Sequence, residues 1–249
     1  MAQLAARAVD GIGEVNAGDD LAELILAAGG RPAAGEIVVI AHKAISKAEG
    51  RVRRLDSIQA TPLARGLVAG SQRDARHVQA ILDETAELVR AKNGVLICRT
   101  KHGFVCANAG VDASNAPGED TVVLLPVDPD ASARLVRARL RELTGAGPAV
   151  LVTDSFGRAW RHGQCDVAIG AAGLDPLTDW RGLPDRAGRE LTATWIALAD
   201  QIAAAADLTR SKDSGQPVVV VSGLDRYVTE ADGPGAAALI RPEAEDMFR

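Results

Sequence analysis

Three short runs constrain this chain more than anything else in it: residues 37–40 (Ile-Val-Val-Ile), 149–153 (Ala-Val-Leu-Val-Thr) and 217–221 (Pro-Val-Val-Val-Val). None of them alternates apolar with polar residues, so a strand built from any of them offers water neither face. Each reads as a strand buried from both sides. Residues 166–172 read as a further strand made of small residues. Residues 95–100 and 104–107 read as a hairpin through His102-Gly103, and residues 122–125 as a strand stopped by Pro126. Asp19 or Asp20 caps a short helix whose apolar face is Leu21, Leu24 and Ile25. The spacing predicts a helix over 71–91, with Ser71 and Asp74 as a capping box and Val78, Ile81, Leu82, Thr85 and Leu88 on one face. Asp130 opens another helix through Leu143, closed by Gly145. A third covers 189–208, with Leu191, Trp195, Leu198, Ile202 and Ala206 as its apolar stripe. Hairpins mixed with α/β alternation favour an α+β fold with mixed sheets over a doubly wound parallel one.

The 249 residues suffice for a single domain over 1–249, with two interleaved subdomains as the alternative. Basic and acidic side chains number 28 and 33, a net charge of −5, and aromatic residues make up 3%. That balance lacks the basic footprint and stacking platforms that nucleic acid requires. No apolar run approaches the roughly 18 residues of a membrane span, and the first residues carry no signal-peptide pattern. Cys98, Cys106 and Cys165 are odd in number and form no CxxC pair, which suits a reducing cytoplasm and argues against structural zinc.

The common nucleotide and hydrolase signatures are absent. There is no GxxxxGK[ST], HExxH or GxSxG, and Gly11-x-Gly13 lacks the third glycine and preceding strand of a dinucleotide fingerprint. Chemistry concentrates instead in three polar clusters that follow strands. Asn108–Asn115 holds Asp112, Ser114 and two asparagines; these are hard oxygen ligands for Mg²⁺ or Mn²⁺, and equally the residues of a turn that satisfies its own backbone. Residues 152–164 place Asp154 and Ser155 at a strand end, an arrangement common in metal–phosphate sites. Arg158 and Arg161 follow, suited to phosphate or carboxylate oxygens, and Trp160 between them is the better tryptophan for stacking on a heterocycle. Residues 42–51 carry His42, Lys43 and Lys47. The lysines serve either to balance polyphosphate charge or as a solvated helix face.

Read in order, residues 43–51 (KAISKAEGR), 102–115 (HGFVCANAGVDASN), 124–133 (LLPVDPDASA) and 152–164 (VTDSFGRAWRHGQ) resemble the coenzyme F420-0:L-glutamate ligase, or gamma-glutamyl ligase, family. The resemblance runs from about Asp10 to the C-terminus. It implies an enzyme of F420 biosynthesis in which GTP phosphorylates the terminal carboxylate of the deazaflavin precursor F420-0. The amine of L-glutamate then attacks the acyl phosphate, and further glutamates can follow through γ-linkages. It also implies two divalent metals (Mg²⁺ or Mn²⁺), K⁺ and a homodimer. No flavin reductase domain is expected within this chain. Carried over by position, Asp112, Asp154 and Ser155 correspond to metal ligands. His42, Lys43, Lys47, Asn115 and the loop Asp10-Gly11-Ile12-Gly13 correspond to nucleotide contacts. Asp112, Asp154 and Lys47 are the candidate catalytic residues, and Arg158 and Arg161 are added, on charge alone, as contacts to an acidic substrate. Relatives often read Glu-Gly-Leu-Pro where this chain has Asp10–Gly13, and Thr where it has Ser155. In the Gly-rich acidic loop after the long helix this chain places Lys212, beside Asp213. A metal-dependent nucleotide phosphohydrolase and a non-catalytic nucleotide- or deazaflavin-binding protein are the competing functions.

Overall fold

The computed structural model describes residues 3–247 apart from 115, 117 and 119. The three runs at 37–40, 149–153 and 217–221 enter one five-stranded sheet. Its strands are β1 (Ala5–Ala8), β2 (Ile37–Ala41), β8 (Ala149–Arg158), β9 (Arg161–Ala172) and β12 (Val218–Ser222), in the order β1-β12-β2-β8-β9. Only β2 and β8 are parallel; the other neighbours are antiparallel. The period-2 alternation of a strand sorts these runs into two cores. Val38, Ile40, Val150, Val152, Val218 and Val220 pack against helices α1 (Leu21–Ala27), α2 (His42–Ala48) and α5 (Pro129–Thr144). Ile37, Val39, Leu151, Val219 and Val221 face the other way, onto α6 (Leu198–Asp207). Helices on both faces explain why these strands tolerate no polar residue.

Between α2 and α5 the chain makes an excursion with an apolar core of its own. It contains β3 (Val52–Arg54) paired with β7 (Thr121–Val123), α3 (Pro62–Leu67), α4 (Ala75–Glu84), and the antiparallel sheet of β4 (Thr85–Lys92), β5 (Val95–Thr100) and β6 (Val105–Ala107). Leu55, Val78, Ile81, Cys98, Val122 and Leu124 meet there. A two-stranded ribbon, β10 (Leu177–Asp179) with β11 (Trp195–Ala197), follows β9. The architecture is α+β with mixed sheets, as the order of elements predicts. No helix among the described residues is long and apolar enough to cross a membrane.

Four expectations need correction. The helix expected over 71–91 is only Ala75–Glu84, capped by Asp74, whose Oδ1 accepts from Arg76 N at 2.8 Å. Thr85 onward is β4, turned into β5 by Asn93 and Gly94 at φ 51° and 75°, the two left-handed residues that a tight hairpin demands. The helix expected over 189–208 is only Leu198–Asp207; Trp195 lies on β11, 47% exposed, with the Arg181 guanidinium 4.1 Å above its ring. Asp128, not Asp130, caps α5. Asp130 instead reaches across to accept from Ala171 N at 2.8 Å and Ala236 N at 2.7 Å. Finally, Asp154 and Ser155 do not stand at a strand end: β8 runs on to Arg158. β8 and β9 continue as a paired ribbon out to Arg158 opposite Arg161, with a register shift between Gly157 and Arg158 near its tip.

Candidate active site

The parallel pairing of β2 with β8 sets Ala41 opposite Thr153. The chain therefore leaves both strands at the same end of the sheet, His42 and Lys43 opening α2 while Asp154 and Ser155 extend β8. β9 runs back beside β8 and places Asp166 opposite Ser155. β12 enters at this end as well: Ala41 N donates to Pro217 O at 2.8 Å, so the loop 209–217 hangs over the same edge. Val9 N donates to Val218 O at 2.9 Å, which delivers Asp10–Gly13 there too. Functional groups clustered past the carboxyl ends of adjacent parallel strands are the usual outcome of such a topology.

Lys43 ties two of the sequence clusters together. Its Nζ lies 2.7 Å from Asp112 Oδ2 and donates to Ser114 Oγ at 2.6 Å. Asp112 is fixed by a bridge to Val123 and by accepting from Ser114 N at 2.7 Å. It is reached through Asn108, Ala109 and Gly110, all left-handed at φ 55°, 52° and 70°. A Cβ at Gly110 would stand 2.7 Å from the Leu125 side chain, so both the conformation and the space demand glycine. Burial pushes the Asp112 carboxyl upward, but the Lys43 ammonium and the Ser114 hydrogen bonds outweigh it and hold the group below the usual carboxylate range.

Asp154 sits in a matching environment. Its Oδ1 is 3.3 Å from Nε2 of His42, which is 2% exposed; that nitrogen is out of line for a hydrogen bond. Burial raises this carboxyl, and the His42 ring, the Ser155 N–H and the Lys43 charge together bring it below its ordinary value. Burial chiefly, with the charge of Asp154 next, pushes the Cys106 thiol up to about 12, so that cysteine is a protonated packing group and no nucleophile.

Ser155 is held from two sides. Its Oγ donates to Asp166 Oδ1 at 2.5 Å and accepts from Lys212 Nζ at 2.6 Å. Asp166 is 3% exposed and also receives Thr153 Oγ1 at 3.0 Å and Arg210 Nη2 at 2.7 Å. Sequence reasoning missed Asp166 and Arg210. The available signal was a lone carboxylate opening a strand of otherwise small apolar residues, a position that needs a partner. Lys212, noted only as a departure, is the loop residue that reaches the site, while Asp213 accepts from Ser211 in its own turn.

The other candidates fall around this edge. Lys47 Nζ contacts Glu14 Oε1 at 2.6 Å. Asp10 accepts from Gln216 Nε2. Gly11 and Gly13 have φ 79° and 74°, and a Cβ on either would meet nothing within 4 Å, so the loop's backbone is open to a ligand. Asn115 lies outside the described residues. Arg158 and Arg161 face one another at the tip of the ribbon, three residues or about 10 Å beyond Ser155. Trp160 stands between them, 77% exposed.

The donor set fits a divalent cation held jointly with substrate. Among the described residues no group of three or more His, Cys, Asp or Glu is close enough to cage a metal. Mg²⁺ does not require one, since it is usually bound by one or two carboxylates together with phosphates and water. Asp112 and Asp154 are carboxylates held ionised, both acted on by one ammonium, and Ser155 and Asp166 add two more oxygen donors.

Comparison with known proteins places the chain in a family. The family model for F420-0:Gamma-glutamyl ligase matches residues 11–223. A coenzyme F420:L-glutamate ligase of Methanopyrus kandleri is 45% identical over 238 residues, covering 95% of this chain and 94% of its own. One from Methanothermobacter thermautotrophicus is 42% identical, covering 97% of each chain. One from Haloarcula marismortui is 41% identical, covering 97% of this chain and 94% of its own.

Proposed function

The chain belongs to the F420-0:gamma-glutamyl ligase family, and from that premise we propose that it joins L-glutamate to F420-0 by a GTP-dependent, acyl-phosphate route. The observation that supports this reading is the placing of basic side chains against oxygen groups at one sheet edge: Lys43 on Asp112, the His42 ring by Asp154, and Lys212 on Ser155 beside Asp166. A triphosphate and a carboxylate repel one another, so a site that transfers phosphoryl between them must neutralise both before they meet.

In this reading Asp112, Asp154 and Ser155 hold the divalent metals, which neutralise phosphate charge when bound. Lys43 and Lys47 face the polyphosphate, and the open loop Asp10–Gly13 lies along the nucleotide. The acceptor carboxylate takes the γ-phosphoryl group and GDP leaves. The glutamate amine then attacks the acyl carbon, forming the amide and expelling phosphate. Arg158 and Arg161, opposed on the ribbon without a salt-bridged carboxylate among the described residues, suit the anionic arm of the acceptor; like charges directly across a ribbon are unfavourable until an anion arrives. K⁺, a homodimer and a cytoplasmic setting belong to the same proposal.

The deciding measurement is product mass after incubation with F420-0, L-glutamate, GTP, Mn²⁺ and K⁺. Glutamate-mass increments with matching GDP release support the ligase. GTP hydrolysis without a mass increment would overturn it in favour of a phosphohydrolase. Within the ligase, Lys47→Ala raises the GTP KM by roughly tenfold, the worth of one charge-assisted contact, and leaves the glutamate KM unchanged. Steady-state kinetics with each substrate varied separately check this, and a glutamate KM that rises alone would remove Lys47 from the nucleotide.

A further inference from the structure

We propose that a cavity between the β10–β11 ribbon and α6 seats the planar ring of the acceptor, whose anionic arm then reaches toward Ser155 and Asp166. This rests on the ligase reading and extends it to a part of the substrate that none of the residues above addresses.

The cavity holds about 360 Å³, within the size range of small-molecule sites. The β10–β11 ribbon supplies one wall, with Thr178 opposite Ile196 and with Trp180 N bonded to Thr194 O at 2.9 Å. The first turns of α6 supply Leu198 and Gln201, and Tyr227 also lines the space. One hydrogen bond links this wall to the strand of the site. Asp200, the neighbour of Gln201 on α6, accepts from Ala168 N at 2.9 Å. Ala168 lies two residues along β9 from Asp166, about 7 Å. The helix that supplies one wall of the cavity is therefore tied to the strand that carries the buried carboxylate of the site.

Its lining selects among the three reactants. No lysine or arginine is among the lining residues, and Arg181, the nearest guanidinium on the ribbon, is already engaged by Asp179 at 2.7 Å and by the Trp195 ring. A triphosphate bound there would meet a single guanidinium, that of Arg226, which lies 4.7 Å over the Tyr227 ring. Glutamate, a small dianion with one ammonium, would leave most of the space empty. The remaining reactant carries a large flat heteroaromatic ring. Trp180 supplies an aromatic face for it and Tyr227, stacked under Arg226, an edge, while Thr178, Thr194 and Gln201 supply donors and acceptors for its polar rim.

The test is equilibrium binding of the deazaflavin ribitol, which has the ring but neither phosphate nor carboxylate, followed by its own fluorescence polarisation. It is paired with steady-state kinetics on F420-0. Trp180→Ala removes a half-exposed wall; Gln201→Trp, on the solvent side of α6, fills the space without removing any core group. Both variants weaken ribitol binding by roughly tenfold or more and raise the F420-0 KM in parallel, with the GTP and glutamate KM unchanged. If the wild type ligates glutamate but both variants bind the ribitol like wild type, the ring sits elsewhere and the proposal is overturned. Trp180-dependent ribitol binding without glutamate transfer keeps the cavity and overturns the ligase reading. A wild type that neither binds the ribitol nor ligates overturns both.

Discussion

Asp154→Asn lowers turnover by about two to three orders of magnitude, the usual loss when a charged group that stabilises a developing anion is removed, and leaves the protein folded. The amide is isosteric, and its oxygen still accepts the Ser155 N–H that the carboxylate accepts now at 2.8 Å, so β8 keeps its shape. What disappears is the negative charge. That charge is robust in the native protein: the His42 ring, the Ser155 N–H and Lys43 outweigh burial and hold the carboxyl below its ordinary value. Asp154 therefore keeps its charge to lower pH than a free aspartate, whose pKa is about 4, and its contribution fades as pH falls through that lowered value. The substitution removes at neutral pH what acid removes only far lower. The check is kcat/KM at limiting Mn²⁺ alongside a thermal melt. Near-wild-type turnover at limiting metal would show that the carboxylate holds no cation, and a collapsed melt would show that its role is structural.

The parts of this molecule legible in its sequence are those with a local physical cause. The runs at 37–40, 149–153 and 217–221 declare themselves because only a doubly covered strand can hide residues 37–40, 149–153 and 218–221 in full. The Asp20 cap of α1 and the Gly145 stop of α5, at φ 73°, follow from single-residue backbone chemistry. The errors arise where tertiary pairing overrides periodicity. Residues 85–92 carry a helical spacing of apolar groups, yet the Asn93-Gly94 turn folds them back onto β5, and the ladder outweighs the propensity. That dipeptide was the overlooked sign. Trp195 misleads in the same way, since its spacing from Leu198 and Ile202 fits a helix that begins only three residues later.

The candidate site shows the same division. Lys43 with Asp112 and His42 with Asp154 come from clusters visible in the sequence. Which cluster meets which is fixed by the parallel register of β2 on β8 and by the bridge from Asp112 to Val123, and neither has a local signature. Asp166 went unseen for a related reason. It gains meaning only from its antiparallel partner Ser155 and from Arg210, which is 44 residues away in the chain.

Asp166→Ala destabilises the protein by about 3–5 kcal/mol, the cost of stranding one member of a buried ion pair. Arg210 is 7% exposed at its side chain, and Asp166 takes the shortest of its bonds; Asp207 Oδ1 at 3.3 Å and Pro217 O at 3.0 Å remain as weaker partners. These residual contacts place the loss toward the lower bound, a drop in Tm of roughly 6–12 °C for a chain of this size. The same carboxylate holds the Ser155 hydroxyl, so stability and turnover fall together and the single variant cannot separate the two roles. The pair Asp166→Asn with Arg210→Met separates them. It removes the buried guanidinium that Asp166 must neutralise, and replacing both members of a buried pair with uncharged groups is often close to neutral. The double variant accordingly recovers most of the lost Tm. Turnover stays depressed, because Ser155 no longer donates to an anion and its oxygen is free to rotate toward Lys212. Full recovery of turnover along with the melt would instead confine Asp166 to holding the fold, and would leave the orientation of Ser155 to Lys212 alone.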